Sequence, residues 1–208
     1  ACEVEVADPI LPAVTEDGAV GIDVGLKSFA VLSDGTEIAN PRFLKKQLKA
    51  LKHAQRNLSR KVKGSANSKK QAQKVGALHI RVKNARKDFT HKLSTEIVKN
   101  HDVICVEDLN IKGMVQNRHL SRTISDVGWG GFLDQLEYKA RWLGKHFVKV
   151  GRFLATTKTC SACGEKKPMP LGVRTYSCGG CGLVLDRDYN ASLNIRAAGL
   201  AVLACGGI

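Results

Sequence analysis

The sequence predicts a mixed α/β fold: a sheet with helices on its faces, interrupted by an inserted helical hairpin and by a small cysteine-rich module. Three observations carry this expectation. Short apolar strand-like segments alternate with segments of helical spacing in the order β-β-β-α-β-α-β-insert-α, which suits a mixed sheet covered by helices. Residues 41–92 keep helical spacing yet hold 17 Lys and Arg against the single acid Asp88. Two C-x2-C pairs lie near the C-terminal end with 14 residues between them. A length of 208 residues, 43% of them hydrophobic, is enough for one large domain with an appendage and excludes global disorder. No apolar run reaches membrane-spanning length, and the opening ACEVEVADPI does not read as a signal peptide.

Taken in order, residues 1–18 hold the alternating stretch Cys2-Glu3-Val4-Glu5-Val6 and a Pro-containing linker, the expected tail of a preceding β element in a longer protein. Residues 19–25 read as an apolar strand with Asp23 inside it. Residues 28–33 read as a second strand, Asp34-Gly35 as a hairpin turn and residues 36–40 as a short third strand. The basic segment follows, its second helix running to about Asn100. Residues 102–107 form the expected fourth strand, 109–125 a Gly/Asn/Ser-containing loop. Phe132, Leu136, Tyr138, Trp142 and Leu143 mark an amphipathic helix, 147–156 a fifth strand, and 189–199 a last helix.

The charge is concentrated rather than spread. Of a formal net charge of +14, residues 41–92 account for +16, leaving the remainder near −2. Leu44, Leu48, Leu51, Leu58 and Val62 draw one apolar stripe, and Val75, Leu78, Val82, Ala85 and Phe89 a second. Gly64-Ser65-Ala66-Asn67-Ser68 lies between them, so an antiparallel helical hairpin over 42–100 is expected. Its other faces carry Lys45, Lys46, Lys49, Lys52, Arg56, Arg60, Lys61 and Lys63 before or within the turn. After the turn come Lys69, Lys70, Lys74, Arg81, Lys83, Arg86 and Lys87. So few acids would leave these cations repelling one another unless a polyanion lies against them, so they are read as a phosphate-tracking, nucleic-acid-binding surface. Few aromatics are interleaved, so base stacking is not the evident role of the hairpin.

Cys160, Cys163, Cys178 and Cys181 form the two C-x2-C pairs, each followed by a glycine, Gly164 or Gly182, that suits a tight knuckle. Four thiolates at tetrahedral positions fit a structural Zn2+ with no open coordination position. A pair of disulfides is the rival reading, disfavoured in a reducing compartment. Cys105, inside an apolar strand, reads as a small core residue.

Four acids stand where bland surface residues are not expected. Asp23 lies in an apolar strand, Glu107 ends the run Val-Ile-Cys-Val, and Asp186 and Asp188 open the last helix. Singly, each has an ordinary explanation: an ion pair, a strand end in solvent, a helix N-cap. Together, carboxylates from two strands and a helix start suit hard divalent cations such as Mg2+, with Mn2+ as a substitute, acting on a phosphodiester.

Gly21-Ile22-Asp23-Val24-Gly25, Val106-Glu107-Asp108-Leu109-Asn110 and Asp186-Arg187-Asp188-Tyr189-Asn190-Ala191 resemble the three motifs of a RuvC-like nuclease domain. With the four-Cys ribbon directly before the third motif, and with Trp129-Gly130-Gly131-Phe132 and Leu136-Glu137-Tyr138-Lys139-Ala140, the chain resembles the TnpB (OrfB) proteins of insertion sequences, relatives of type V CRISPR effectors. The resemblance implies an RNase H-like fold and RNA-guided, Mg2+-dependent cleavage of target DNA, with guide RNA and target DNA as partners and a prokaryotic cytoplasm as the setting. It implies Asp23, Glu107 and Asp188 as catalytic, magnesium-binding acids, with Asp188 preferred over Asp186 because the family pattern is Asp-x-Asn-Ala. It divides the chain into a nuclease domain at 19–157 and 185–200, a zinc ribbon at 158–184 and a tail at 201–208. A non-catalytic nucleic-acid-binding remnant or RNA-guided repressor is the alternative, and a strand-transferring transposase on the same fold is another.

Overall fold

The computed structural model describes residues 9–170 and 172–206. The alternating segment 2–6 lies outside the described residues. β1 (Ala19–Val24), β2 (Ser28–Leu32) and β3 (Glu37–Ala39) form an antiparallel meander, closed at Asp34-Gly35 by Thr36 N–H donating to Asp34 Oδ1 and by a left-handed Gly35. β4 (Val103–Glu107) pairs in parallel with β1, and β5 (His146–Val150) in parallel with β4, giving the order β3-β2-β1-β4-β5. A separate β6 (Thr175–Ser177) and β7 (Val184–Asp186) pair antiparallel.

Between β3 and β4 stand the two basic helices. α1 (Phe43–Ser59) and α2 (Ala66–Asn100) pack antiparallel, with Gln71 Nε2 donating across to the Ala54 carbonyl. The 35 residues of α2 span roughly 52 Å. Ser65 caps α2 by accepting from Ser68 N–H, so the expected turn ends at Ser65, and Ala66, Asn67 and Ser68 are already helical. Val62, expected on the apolar stripe, falls in the turn and is 78% exposed.

The expected loop at 109–125 contains α3 (Ile111–Val115) and α4 (Ser121–Val127). Asn110 caps the first, and a left-handed Gly128 ends the second. α5 (Trp129–Trp142) buries Trp129, Phe132, Leu133, Leu136 and Ala140, whereas Trp142 is 74% exposed and Leu143 lies past the helix end. β5 stops at Val150, short of the expected Thr156, because β4 ends at Glu107 and its last partner is Val150. α6 (Arg187–Ala204) is longer at both ends than expected and runs into the segment read as a tail.

The sheet divides the core in two. Val20, Ile22, Ile104 and Val106 face α2, α4 and α5 in one cluster. Ala19, Val103, Cys105, Val148 and Val150 face α6 through Ile195 in the other. Period-2 alternation then puts Gly21 and Asp23 of β1, with Cys105 and Glu107 of β4, on the α6 side. That helix lies very close. A Cβ at Gly21 would collide with the Ser192 carbonyl and the Arg196 amide, and one at Gly199 with Cys105.

Gly21→Ala must therefore push a helix backbone off a strand. It is expected to lower stability by about 1–3 kcal/mol or more, seen as a fall in thermal midpoint. Gly131→Ala, on α5 with open space around it, is expected to be neutral or slightly stabilising.

Candidate functional site

The parallel register between β1 and β4 runs Gly21 opposite Cys105 and Ile22 opposite Val106, so Asp23 and Glu107 are the next residues along on adjacent strands. Both lie on the α6 side, at the ends where the two strands leave the sheet. Asp188 enters from above, in the first turn of α6, where its charge complements the helix N-terminus. Asp186 is the N-cap: its Oδ1 accepts from Asp188 N–H at 2.8 Å and Tyr189 N–H at 3.2 Å. Asp186 is thus spent on the helix and exposed, while the Asp188 side chain is 15% exposed.

Asp23 keeps partial contact with solvent as a residue, but its carboxyl sits deep among protein atoms. Burial pushes that carboxyl up to about 8, reinforced by the negative charges of Asp188, Glu107 and Asp186 and opposed by Arg187. Glu107 is also raised, by burial first and by Asp108 second. Asp188 is held by two guanidiniums: Arg174 from the ribbon at 3.0 Å on Oδ2, and Arg187 at 3.0 Å on Oδ1. Asp188 and Glu107 are thus close enough to Asp23 for their charges to raise its proton affinity. Among the described residues, however, the only group of three or more Cys, His, Asp or Glu with ligand atoms all within 4.8 Å is the cysteine cluster.

That cluster consists of Cys160, Cys163, Cys178 and Cys181. Sγ–Sγ separations across the knuckles are 3.6 Å for Cys160–Cys181 and 3.5 Å for Cys163–Cys178. A tetrahedral zinc with four Zn–S bonds of about 2.3 Å sets the sulfurs ~3.8 Å apart, so donor chemistry and spacing both fit Zn2+. Left-handed Gly164 and Gly182 allow the knuckles to turn. Beneath them Tyr176 is fully buried, its hydroxyl donating to the Glu165 carbonyl at 3.2 Å. Burial pushes the Cys105 thiol up to about 12, as befits an inert core residue.

Several site-forming residues carry no obvious signal in the sequence. Asn190, fully buried, accepts from Ser161 N–H at 3.0 Å and donates to the Thr159 carbonyl at 2.7 Å. Asn194 donates to the Thr156 and Thr159 carbonyls at 2.7 Å. These asparagines bolt the first cysteine knuckle to α6, so the ribbon and the helix bearing Asp188 are one mechanical piece. Glu165 joins the two knuckles, accepting from Gly180 N–H and from the Cys178 thiol.

Of the basic side chains singled out on the hairpin, all but Arg86 are exposed. Arg86 turns inward and pairs with Asp126 of α4 at 3.1 Å. The same Asp126 accepts from Leu44 N–H at 2.9 Å, capping α1 from a distance because Arg42, at the N-cap position, is left-handed and offers no side-chain cap. Asp126 therefore fixes the root of the hairpin to the segment that follows Glu107.

The fold of this chain resembles that of solved Cas12f structures. The chain superposes on the protein of a solved CRISPR-Cas12f ternary complex with a TM-score of 0.67 at 22% identity, covering 93% of this chain and 40% of that one. A Cas12f1–sgRNA–target DNA complex gives 0.61 at 20%, covering 89% and 51%. Residues 1–118 match the OrfB_IS605 family, described as "Probable transposase", and residues 129–195 match the Cas12f1-like TNB domain. The chain belongs to the OrfB_IS605 family. It is 44% identical over 200 residues to a "Putative RNA-guided DNA endonuclease" of Streptomyces pristinaespiralis, covering 96% of this chain and 50% of the relative. It is 37% identical to "Putative RNA-guided DNA endonuclease InsQ" of Escherichia coli K12, covering 98% and 54%. The chain thus spans about half the length of these relatives. No described helix is long and apolar enough to cross a membrane.

Two outcomes are expected. Without added divalent ions, Asp23 keeps its proton in the folded state while the unfolded chain ionises at the ordinary value. Stability therefore falls as pH rises from 3.8 toward about 8. Asp23→Asn should be the more stable protein at pH 8 in chemical denaturation, with the gap closing toward pH 4. The purified protein should also carry one zinc per chain, and Cys178→Ser should lose it together with protease resistance of 158–184.

Proposed function

We propose that this chain carries the nuclease core of an RNA-guided, Mg2+-dependent DNA endonuclease of the TnpB type, on an RNase H-like (RuvC-like) fold. The observation that supports it most is the register that sets Asp23 beside Glu107 under the first turn of α6. A binding protein has no use for carboxylates there, since they repel phosphate and cost stability. Hard carboxylate oxygens, one of them strongly raised by burial and neighbouring charge, fit Mg2+ or Mn2+ as donors. Asp23 and Glu107 would hold one shared position and Asp188 a second. Bound there, two such ions supply the Lewis acidity that activates water and stabilises the leaving oxygen of a phosphodiester.

The protein's own groups set the conditions for that step. Arg174 and Arg187 balance the charge of Asp188 and would compete with a cation for it. The asparagine bolts tie the helix that carries Asp188 to the first cysteine knuckle. The exposed cations of α1 and α2 grip a guide–target duplex or substrate strand through phosphates. The domain division expected from the sequence, with the ribbon inserted before the last helix, belongs to the same reading. A non-catalytic RNA-guided binder is the second reading, favoured by the two ion pairs that occupy Asp188.

The test compares wild type with Asp23→Ala, Glu107→Gln and Asp188→Asn, each with guide RNA and Mg2+, on single-stranded and duplex DNA. Metal-dependent cutting should fall to background in all three while nucleic-acid affinity is kept. Equal cutting by wild type and Asp23→Ala contradicts the assignment of the acids. Binding without cutting in wild type, with Mg2+ or Mn2+, favours the second reading. Replacing Lys69, Lys70 and Lys74 by Ala should weaken binding and lower the slope of log K against log salt by about one for each phosphate no longer neutralised.

A further inference from the structure

Phe153 is 97% exposed, yet its backbone is tightly held. Gly151 to Leu154 form a turn closed by Leu154 N–H donating to the Gly151 carbonyl at 3.0 Å, with Arg152 and Phe153 as its two central residues. On one side the turn grows out of β5, whose Val150 pairs with Glu107 and accepts from Asp108 N–H at 3.0 Å. Arg152 fastens the turn there, with Nε to the Asp108 carbonyl at 3.1 Å and a terminal nitrogen to Asp108 Oδ2 at 2.8 Å. On the other side Thr156, buried, donates N–H to the Leu154 carbonyl at 2.8 Å and gives its own carbonyl to Asn194 of α6. The turn therefore bridges the strand end that carries Glu107 and the helix that carries Asp188. It holds an aromatic ring in water at that junction, with the half-exposed Leu154 beside it.

We propose that Phe153 is a stacking platform for an unpaired nucleobase of the strand whose phosphate lies at Asp23, Glu107 and Asp188. This rests on the reading of those acids as the phosphate-handling site. The turn that carries Phe153 begins one residue past Val150, the strand partner of Glu107, so the base of a nucleotide whose phosphate lies at the acids is the group assigned to its ring. The phenyl ring has no polar handle, so it stacks on any base and reads no sequence. A base inside a duplex has both faces covered by its neighbours, so the contact is available only to a single strand. The hairpin supplies exposed cations while its Phe43 and Phe89 pack inward; Phe153 supplies the complementary apolar contact at the acids.

The test measures binding of a short single-stranded oligodeoxynucleotide carrying one 2-aminopurine, with Ca2+ in place of Mg2+ to neutralise the acids without cutting, to wild type, Phe153→Ala, Phe153→Leu and Phe153→Trp. Phe153→Ala should bind roughly ten- to a hundred-fold more weakly, the size of one base–aromatic stack, and lose the stacking quench of 2-aminopurine. Phe153→Leu should follow it, and Phe153→Trp should keep both affinity and quench. Thermal midpoints and zinc content should match wild type, since the ring is held in solvent. Unchanged affinity and quench in Phe153→Ala, or Phe153→Leu as good as wild type, overturns the proposal and leaves the ring as a contact for protein. Because no cutting is needed, an inactive wild type that still shows the Phe153-dependent quench sinks the hydrolase reading alone.

Discussion

The packing of α6 against β1 and β4 governs the rest of this molecule. Backbone meets backbone at Gly21, and a glycine on the helix, Gly199, makes room for Cys105. Only with the helix that close does its first turn come over the strand ends, and only then do Asp23 and Glu107, two residues beyond Gly21 and Cys105 on the same face, find Asp188 near them. The consequence is electrostatic. Three carboxylates and an N-capping fourth share one corner, and the Asp23 carboxyl there is pushed up to about 8 by burial first and by the neighbouring negative charges second. A fold optimised for stability alone has no reason to accumulate that repulsion. Two arginines on Asp188 relieve part of it, and a divalent cation would relieve more.

The ribbon and the hairpin are tied to this corner by different means. Asn190 and Asn194 join the first knuckle to α6 through buried amide hydrogen bonds, so loss of the knuckle disturbs the helix that carries Asp188. The hairpin is rooted by Asp126, which takes Arg86 of α2 and the first free amide of α1 at once. Most of the hairpin's length is left to its exposed cations. A polyanion along that surface is connected to the segment after Glu107 through this carboxylate and through the packing of α2 on α4 and α5.

Much of this was legible in the sequence because the signals are local. Apolar runs, one holding an acid and one ending in an acid, marked β1 and β4; leucine spacing marked α1 and α2; C-x2-C pairs followed by glycine marked the knuckles. Where reading failed, the deciding partner was remote in sequence. β5 ends at Val150 because β4 ends at Glu107, and nothing in 147–156 says so. Arg86 reads like its basic neighbours, but Asp126, 40 residues on, turns it inward. α3 and α4 are short helices fixed by Asn110 and Gly128, too brief for periodicity to show. Trp142 fits the spacing of α5 yet stays outside the core, since Ala140 is the last buried position. Asn190 could be read as a letter of the third motif and Asn194 carried no signal, and neither showed in the sequence as the bolt it is.

The central claim is that Asp23, Glu107 and Asp188 share divalent cations. The most direct measurement is anomalous diffraction from crystals soaked in Mn2+, with the zinc distinguished by its absorption edge. Manganese peaks bounded by the three carboxylates, with Arg174 displaced from Asp188, are the predicted result. Manganese bound elsewhere, or no peak while Arg174 and Arg187 still hold Asp188, would contradict it.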